Sequence, residues 1–118
     1  MNEPEPQFLQ VGHGSAVRRI ATIPQNGREP GILWLQGFKS EMTSIKPTAL
    51  AAWTRDQGLA FTRFDYSGHG QSEGQFENGT LSLWLEETAA VFRKLTKGDQ
   101  ILVDQSVSGD NVLIDGNS

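Results

Sequence analysis

Two short segments, the unbroken apolar run "ILWL" (32–35) and "QILV" (100–103), apolar after its first residue, constrain this chain most, because each follows turn-forming residues and is too short for an ordinary helix. A strand that is apolar without alternation is covered on both faces, and strands of that kind run parallel beneath helices. Two helical segments lie between the runs. In "TSIKPTALAAWTRDQG" (43–58), Thr43 or Ser44 can cap, Pro47 is tolerated in the first turn and Gly58 can end the helix. Its expected apolar stripe is Ile45, Ala49, Ala52 and Trp53. In "TLSLWLEETAAVFRKLTKG" (80–98), Leu81, Trp84, Thr88, Val91, Phe92 and Leu95 keep helical spacing, Glu86, Glu87, Arg93 and Lys94 fall outside that stripe, and Gly98 closes it.

Around these segments, "QFLQV" (7–11), "AVRRIATI" (16–23) and "LAFTRFDY" (59–66) read as further strands, with "GHGS" (12–15) a turn and "PQNGREPG" (24–31) a loop. Val17 and Ile20 are the expected inward residues of the second strand, and Arg18 and Arg19 the solvated ones. The order β-β-β-α-β-α-β indicates an α/β sheet that turns parallel after an opening hairpin. At 118 residues the chain holds one domain at most: a disordered lead-in at 1–6, a folded unit at 7–103, and an irregular tail at 104–118.

Composition removes several functions. Ten Lys and Arg stand against 14 Asp and Glu, and the basic residues are scattered, so no nucleic-acid surface is expected. Without cysteine there is neither a disulfide framework nor a thiolate metal site, and His13 and His69 lack ligand spacing. No metal or cofactor is therefore expected. The start, "MNEPEPQFLQ", is neither a secretory signal nor an Arg-rich transit peptide, and no apolar run approaches the ~20 residues that span a bilayer. A soluble, cytoplasmic protein is the expectation.

Three turns follow the C-terminal ends of the expected parallel strands, where open α/β sheets bind ligands. After 32–35 comes "LQGFKSEMTS", in which Gly37 permits a sharp turn and the Phe38 N–H can point into a cleft as an oxyanion donor. An ordinary strand-to-helix loop would look the same. "RFDYSGHGQSEG" (63–74) follows the next strand. Its Asp65 can accept hydrogen bonds from the loop's own N–H groups, and Gly68, Gly70 and Gly74 permit positive φ. A phosphate cradle is the rival reading, but Gly-x-Gly-x-x-x-Gly is not the dinucleotide fingerprint, and about five residues separate Gly74 from the helix. His69, between two glycines, reads as a structural or solvent-facing residue and not as a base.

The third turn is "VDQSVSG" (103–109). A nucleophile elbow is Gly-x-Ser-x-Gly between strand and helix, and needs small neighbours two residues from the serine. Ser106 has Asp104 and Ser108 as those neighbours; Ser108 has Ser106 and Asp110. Ser108 fits beside Ser106, whereas Asp104 adds bulk and negative charge. Spacing from the strand favours Ser106.

Taken together, "LWLQGF", "FDYSGHGQSEG" and "QILV" resemble, in that order, the oxyanion loop, the loop after strand four and the strand before the elbow of the α/β-hydrolase superfamily. "D-x-x-G-x-G-x-S" after an apolar strand carries most of the likeness, and the closest branch is that of acyl-ester and acyl-thioester hydrolases similar to palmitoyl-protein thioesterases. The resemblance implies a serine hydrolase that takes a small acyl ester or thioester, with Ser106 attacking the acyl carbonyl and the N–H groups of Phe38 and Val107 binding the oxyanion. Gln36 stands where many members have a histidine. The family places its acid and its histidine after the elbow, and in these 118 residues no histidine follows Ser106. The expectation is therefore the N-terminal half of a hydrolase, cut near the elbow and inactive alone, with "QILV" left as an exposed edge prone to self-association. A non-catalytic remnant or binding module is the alternative, and a nucleotide-binding half-domain the third reading.

Overall fold

The computed structural model describes residues 4–37, 40–104 and 111–114. In chain order it contains β1 (Gln7–Val11), β2 (Arg18–Gln25), β3 (Arg28–Leu35), α1 (Ile45–Gln57), β4 (Leu59–Phe64), α2 (Leu81–Leu95), β5 (Gln100–Asp104) and β6 (Asn111–Ile114). The strands form one sheet in the order β1-β2-β4-β3-β5-β6. The middle is parallel: β3 pairs with β4 on one side and β5 on the other. Both ends are antiparallel, through β1–β2, β2–β4 and β5–β6.

Alternation along the strands sorts the core into two layers. Ile32, Trp34 and Phe61 face one way and pack with Ala51 of α1. Leu33 and Phe64 face the other way and pack with Ile20, Trp84, Ala90 and Val91, so α2 covers the opposite face. The unbroken apolar runs are thus strands with a helix on each side, as their composition implies. Gly58, at φ 73°, ends α1 in the left-handed conformation. Thr80 caps α2, its hydroxyl accepting the Leu83 N–H at 3.2 Å.

Several residues point differently from the sequence expectation. Arg18 is buried (8% exposed) and Val17 is out (43%), because β2 starts at Arg18 and the pleat is set one residue later. The expected loop at 24–31 is mostly strand, since β2 runs to Gln25 and β3 begins at Arg28. On α1 the buried residues are Pro47, Ala51 and Thr54, while Ile45 (86% exposed) and Trp53 (52%) lie on the outer face. On α2, Leu81 is exposed and Glu87 is fully buried. In the tail, 111–114 is a strand instead of irregular chain. It pairs with β5 from Gln100–Ile114 to Val103–Asn111. Asn-Val-Leu-Ile has strand propensity, and the open edge of β5 offers unpaired backbone groups to meet it. The sheet edge expected at "QILV" therefore lies one strand further out, at β6. Among the described residues no helix is long and apolar enough to cross a membrane.

Candidate active site

The C-terminal ends of β3, β4 and β5 lie side by side. Leu35 is opposite Asp104, so β3 and β5 finish at the same level. The segments that follow them carry the expected oxyanion donor Phe38 and the expected serine Ser106 with its neighbour Val107. These three residues lie outside the described residues. What the structure does describe is the scaffold on both sides of them.

The loop after β4 is organised by one carboxylate. Asp65 follows β4 directly and continues its ladder, its N–H donating to the Ala21 carbonyl at 3.0 Å. The carboxylate is 1% exposed. Its Oδ2 accepts the Gln71 N–H at 3.0 Å, which is the bond within its own loop that the sequence suggests. Its Oδ1 accepts the Met42 N–H at 2.8 Å, which the sequence does not suggest. Arg63, two residues earlier on the same side of the strand, donates from Nη1 to the Met42 carbonyl at 3.0 Å. Residues 63 and 65 of one strand thus hold both polar backbone groups of Met42, in the segment that joins β3 to α1. Burial pushes the Asp65 carboxyl above its ordinary range; the Gln71 and Met42 N–H groups pull it back only in part.

Glycine is required at two places in this loop. Gly68 has φ 77°, and a Cβ there would lie 2.7 Å from the Gln75 carbonyl carbon. Gly70 has φ 49°, and a Cβ there would overlap the Asp65 carboxylate. Further bonds tie the loop to β2. Ser72 Oγ donates to the Asp65 carbonyl at 2.6 Å and accepts the Ala21 N–H at 2.8 Å, and Glu73 Oε1 accepts the Arg19 N–H at 2.8 Å.

Behind the loop lies a buried ionic cluster. Glu87 of α2 accepts the Ser67 N–H on Oε1 at 2.8 Å and Arg18 Nε on Oε2 at 2.7 Å. Arg18 Nη2 also meets Glu86 Oε1 at 2.6 Å. Burial lowers the Arg18 pKa, and the two carboxylates more than offset it, so the net shift is upward. Glu87 lies three residues after Trp84 and four before Val91, so its place in the buried stripe was readable. Its charge argued against that place, and only the partner from β2 resolves the conflict.

His69 is structural, the first of the two readings its sequence context left open. It is 5% exposed and stands against Tyr66, Phe76 and Trp84 with ring centroids 6.0, 5.2 and 5.5 Å away. Its Nδ1 lies 3.1 Å from the Ser67 carbonyl. Gln36, at the place of the family's histidine, is buried and accepts the Trp34 indole N–H at 2.5 Å. A cleft of about 630 Å³ opens between the two loops, lined by Ser40, Glu41, Ser44, Gly68, His69, Gly70, Phe76 and Glu77.

Comparison with known proteins reads this arrangement. The mouse mitochondrial palmitoyl-protein thioesterase ABHD10 is 37% identical over 95 residues, which is 80% of this chain and 32% of the relative. The structure of the mouse protein superposes with a TM-score of 0.77 at 33% identity, covering 86% of this chain and 39% of that one. A hydrolase from Agrobacterium vitis S4, described as putative, superposes with a TM-score of 0.76 at 40% identity, covering 85% and 40%. The chain belongs to the α/β-hydrolase superfamily. No family model matches it. It spans about a third of the length of the curated relative and about 40% of the solved ones. In α/β-hydrolase terms the described residues are part of the sheet with the helices that cover it.

Proposed function

We propose that this chain serves hydrolysis of small acyl esters or thioesters, with Ser106 as nucleophile and the N–H groups of Phe38 and Val107 as oxyanion donors. The observation that carries the reading is the Asp65–Met42–Arg63 clamp, which fixes the segment after β3 against the end of β4. Preorganised backbone N–H donors contribute about 3–4 kcal/mol each to stabilising an acyl-transfer transition state, and only if the loop bearing them is held before the substrate arrives. The name of the mouse relative supports the thioester branch.

The same reading leaves the serine without a base in the sequence after it. No histidine follows Ser106. His69 is packed among aromatic rings with Nδ1 at the Ser67 carbonyl, and His13 lies beside the first strand at the opposite side of the sheet. A serine hydroxyl without a base is a poor nucleophile at neutral pH, so the 118-residue chain is proposed to be inactive by itself. Treatment of the folded chain with a fluorophosphonate probe, beside Ser106→Ala, tests this: equal background in both is expected. Labelling that Ser106→Ala abolishes would keep the nucleophile and refute the inactivity. The mouse relative is mitochondrial by name, and a cytoplasmic location for this chain is a proposal that fractionation tests. Self-association through the sheet edge is likewise a proposal, tested by sedimentation.

A further inference from the structure

Asparagine is followed by glycine at two places, Asn26-Gly27 and Asn78-Gly79. Both pairs invite the same chemistry. The backbone nitrogen after an asparagine can attack that residue's own side-chain carbonyl, and glycine, with no Cβ, obstructs the attack least. At both places the fold also demands the glycine. A Cβ on Gly27 would lie 2.2 Å from the Leu59 carbonyl carbon, and one on Gly79 would lie 2.3 Å from the Trp84 ring. Packing therefore holds the reactive residue type in place.

The two glycine nitrogens are held differently. Gly79 follows a short 3₁₀ turn at Phe76–Asn78, and its N–H donates to the Phe76 carbonyl at 3.0 Å. Attack requires the nitrogen to give up its proton, and an N–H already bonded to a carbonyl oxygen resists that loss. Gly27 lies in the two-residue link between β2 and β3, which crosses the start of β4 because β4 stands between those strands. Its N–H donates to no acceptor among the described residues, and the neighbouring Leu59 carbonyl accepts Gln25 Nε2 at 2.9 Å. Asn26 and Gly27 are both exposed. They line a cleft of about 280 Å³ with Glu29, Thr62, Lys97 and Gln100, at the end of the sheet away from the candidate active site, so water reaches the pair.

We propose that Asn26 is a self-modification site at which the folded chain deamidates, while Asn78 is spared. The Gly27 nitrogen loses its proton and bonds to Asn26 Cγ. The Asn26 side-chain nitrogen gains a proton and leaves as ammonia, which closes a succinimide. Water then adds to one of the two ring carbonyls, and the C–N bond at that carbonyl breaks. Opening on one side gives aspartate; opening on the other gives isoaspartate, whose main chain runs through the former side chain. Water is the only co-reactant. Each event replaces a neutral amide with a carboxylate and makes the formal charge of −4 more negative by one. The isoaspartyl form also adds a main-chain atom to the link between β2 and β3.

The test is incubation of the 118-residue chain at mildly alkaline pH, one portion shown to be folded by circular dichroism and one in denaturant. Peptide mass spectrometry then counts deamidated product at both positions. The ratio of rates in denaturant reports the residues before each pair, Gln25 and Glu77, and the folded ratio adds the effect of the fold. A net hydrogen bond is worth about two- to tenfold in an equilibrium, so the folded ratio should favour Asn26 by about fivefold more than the denatured one does. Asn26→Ser should remove the early release of ammonia from the folded chain and leave the rate at Asn78 unchanged. A folded ratio within about twofold of the denatured one would overturn the proposal, as would early ammonia from Asn26→Ser equal to that of the parent. Neither readout involves Ser106, so failure here and failure of the hydrolase reading are separate results.

Discussion

The two loops at the ends of β3 and β4 are built on opposite plans. The loop after β4 is satisfied from close by: Asp65 binds Gln71, Ser72 binds the Asp65 carbonyl, the Gly68 N–H donates to the Glu73 carbonyl, and Glu87 holds the Ser67 N–H from behind. In the segment after β3, Ser40 donates to the Gly37 carbonyl at 3.2 Å and Ser44 to the Glu41 carbonyl at 3.0 Å, but Met42 between them is held by side chains of β4. The first loop combines bonds of its own with support from β2 and α2, and the second takes its hold on Met42 from Arg63 and Asp65. The bonds link α2 through the β4 loop to the segment after β3. They explain why a carboxylate buried at a cost is kept at Asp65.

The largest expected effect comes from cutting the chain of support at its root. Glu87→Ala leaves Arg18 with the half-exposed Glu86 as its one carboxylate among the described residues, beside three backbone carbonyls, and takes away the acceptor of the Ser67 N–H. Removing one member of a buried ion pair costs about 3–5 kcal/mol, and chemical denaturation should register a loss of that order. A loss below about 1 kcal/mol would mean that Glu86 alone suffices for Arg18. Next is Gly70→Ala, which forces a side chain into the left-handed region and against the Asp65 carboxylate. About 2–3 kcal/mol is expected, with faster amide exchange at both Gln71 and Met42. Exchange that quickens at Gln71 alone would break the link between the loops.

Asp65→Asn sharpens the comparison through pH. The folded carboxyl titrates above its ordinary value of 3.8. Between those two values the folded state holds the proton and the unfolded state has lost it, so stability falls as pH rises through that window. Below it the penalty is absent. The Asn variant should flatten this part of the stability–pH profile, and an unchanged slope would remove Asp65 as its source. The smallest effect is expected at Trp53→Ser, on the outward face of α1, where stability should move by no more than about 0.5 kcal/mol. A larger loss would mean that this face is covered.

Much of the fold was legible because the apolar runs are unambiguous: "ILWL" and "QILV" could only be doubly covered strands, and the helices between them follow. The faces of the helices were harder. Ile45, Ala49, Ala52 and Trp53 make a plausible stripe, but they lie outside while small Ala51 and Thr54 let α1 approach the sheet closely. Arg18 and Glu87 each read as solvent-facing, since a charge is buried only with a partner, and their partners lie 69 residues apart. In the site, Asp65 and its glycines were readable because their bonds are local. The Met42 contact was not, since nothing near Met42 in the sequence marks its backbone as the object of a clamp.

The central proposal is that residues 7–103 form a competent half of an acyl hydrolase, with the β4 loop holding the proposed oxyanion loop in place. It is tested most directly by joining residues 1–103 of this chain to the remaining part of the Agrobacterium vitis hydrolase and measuring hydrolysis of acyl esters and thioesters. Turnover is expected, and Asp65→Ala in that chimaera should lower kcat far more than it changes KM. A folded chimaera without turnover, or one in which Asp65→Ala leaves kcat untouched, would contradict the account.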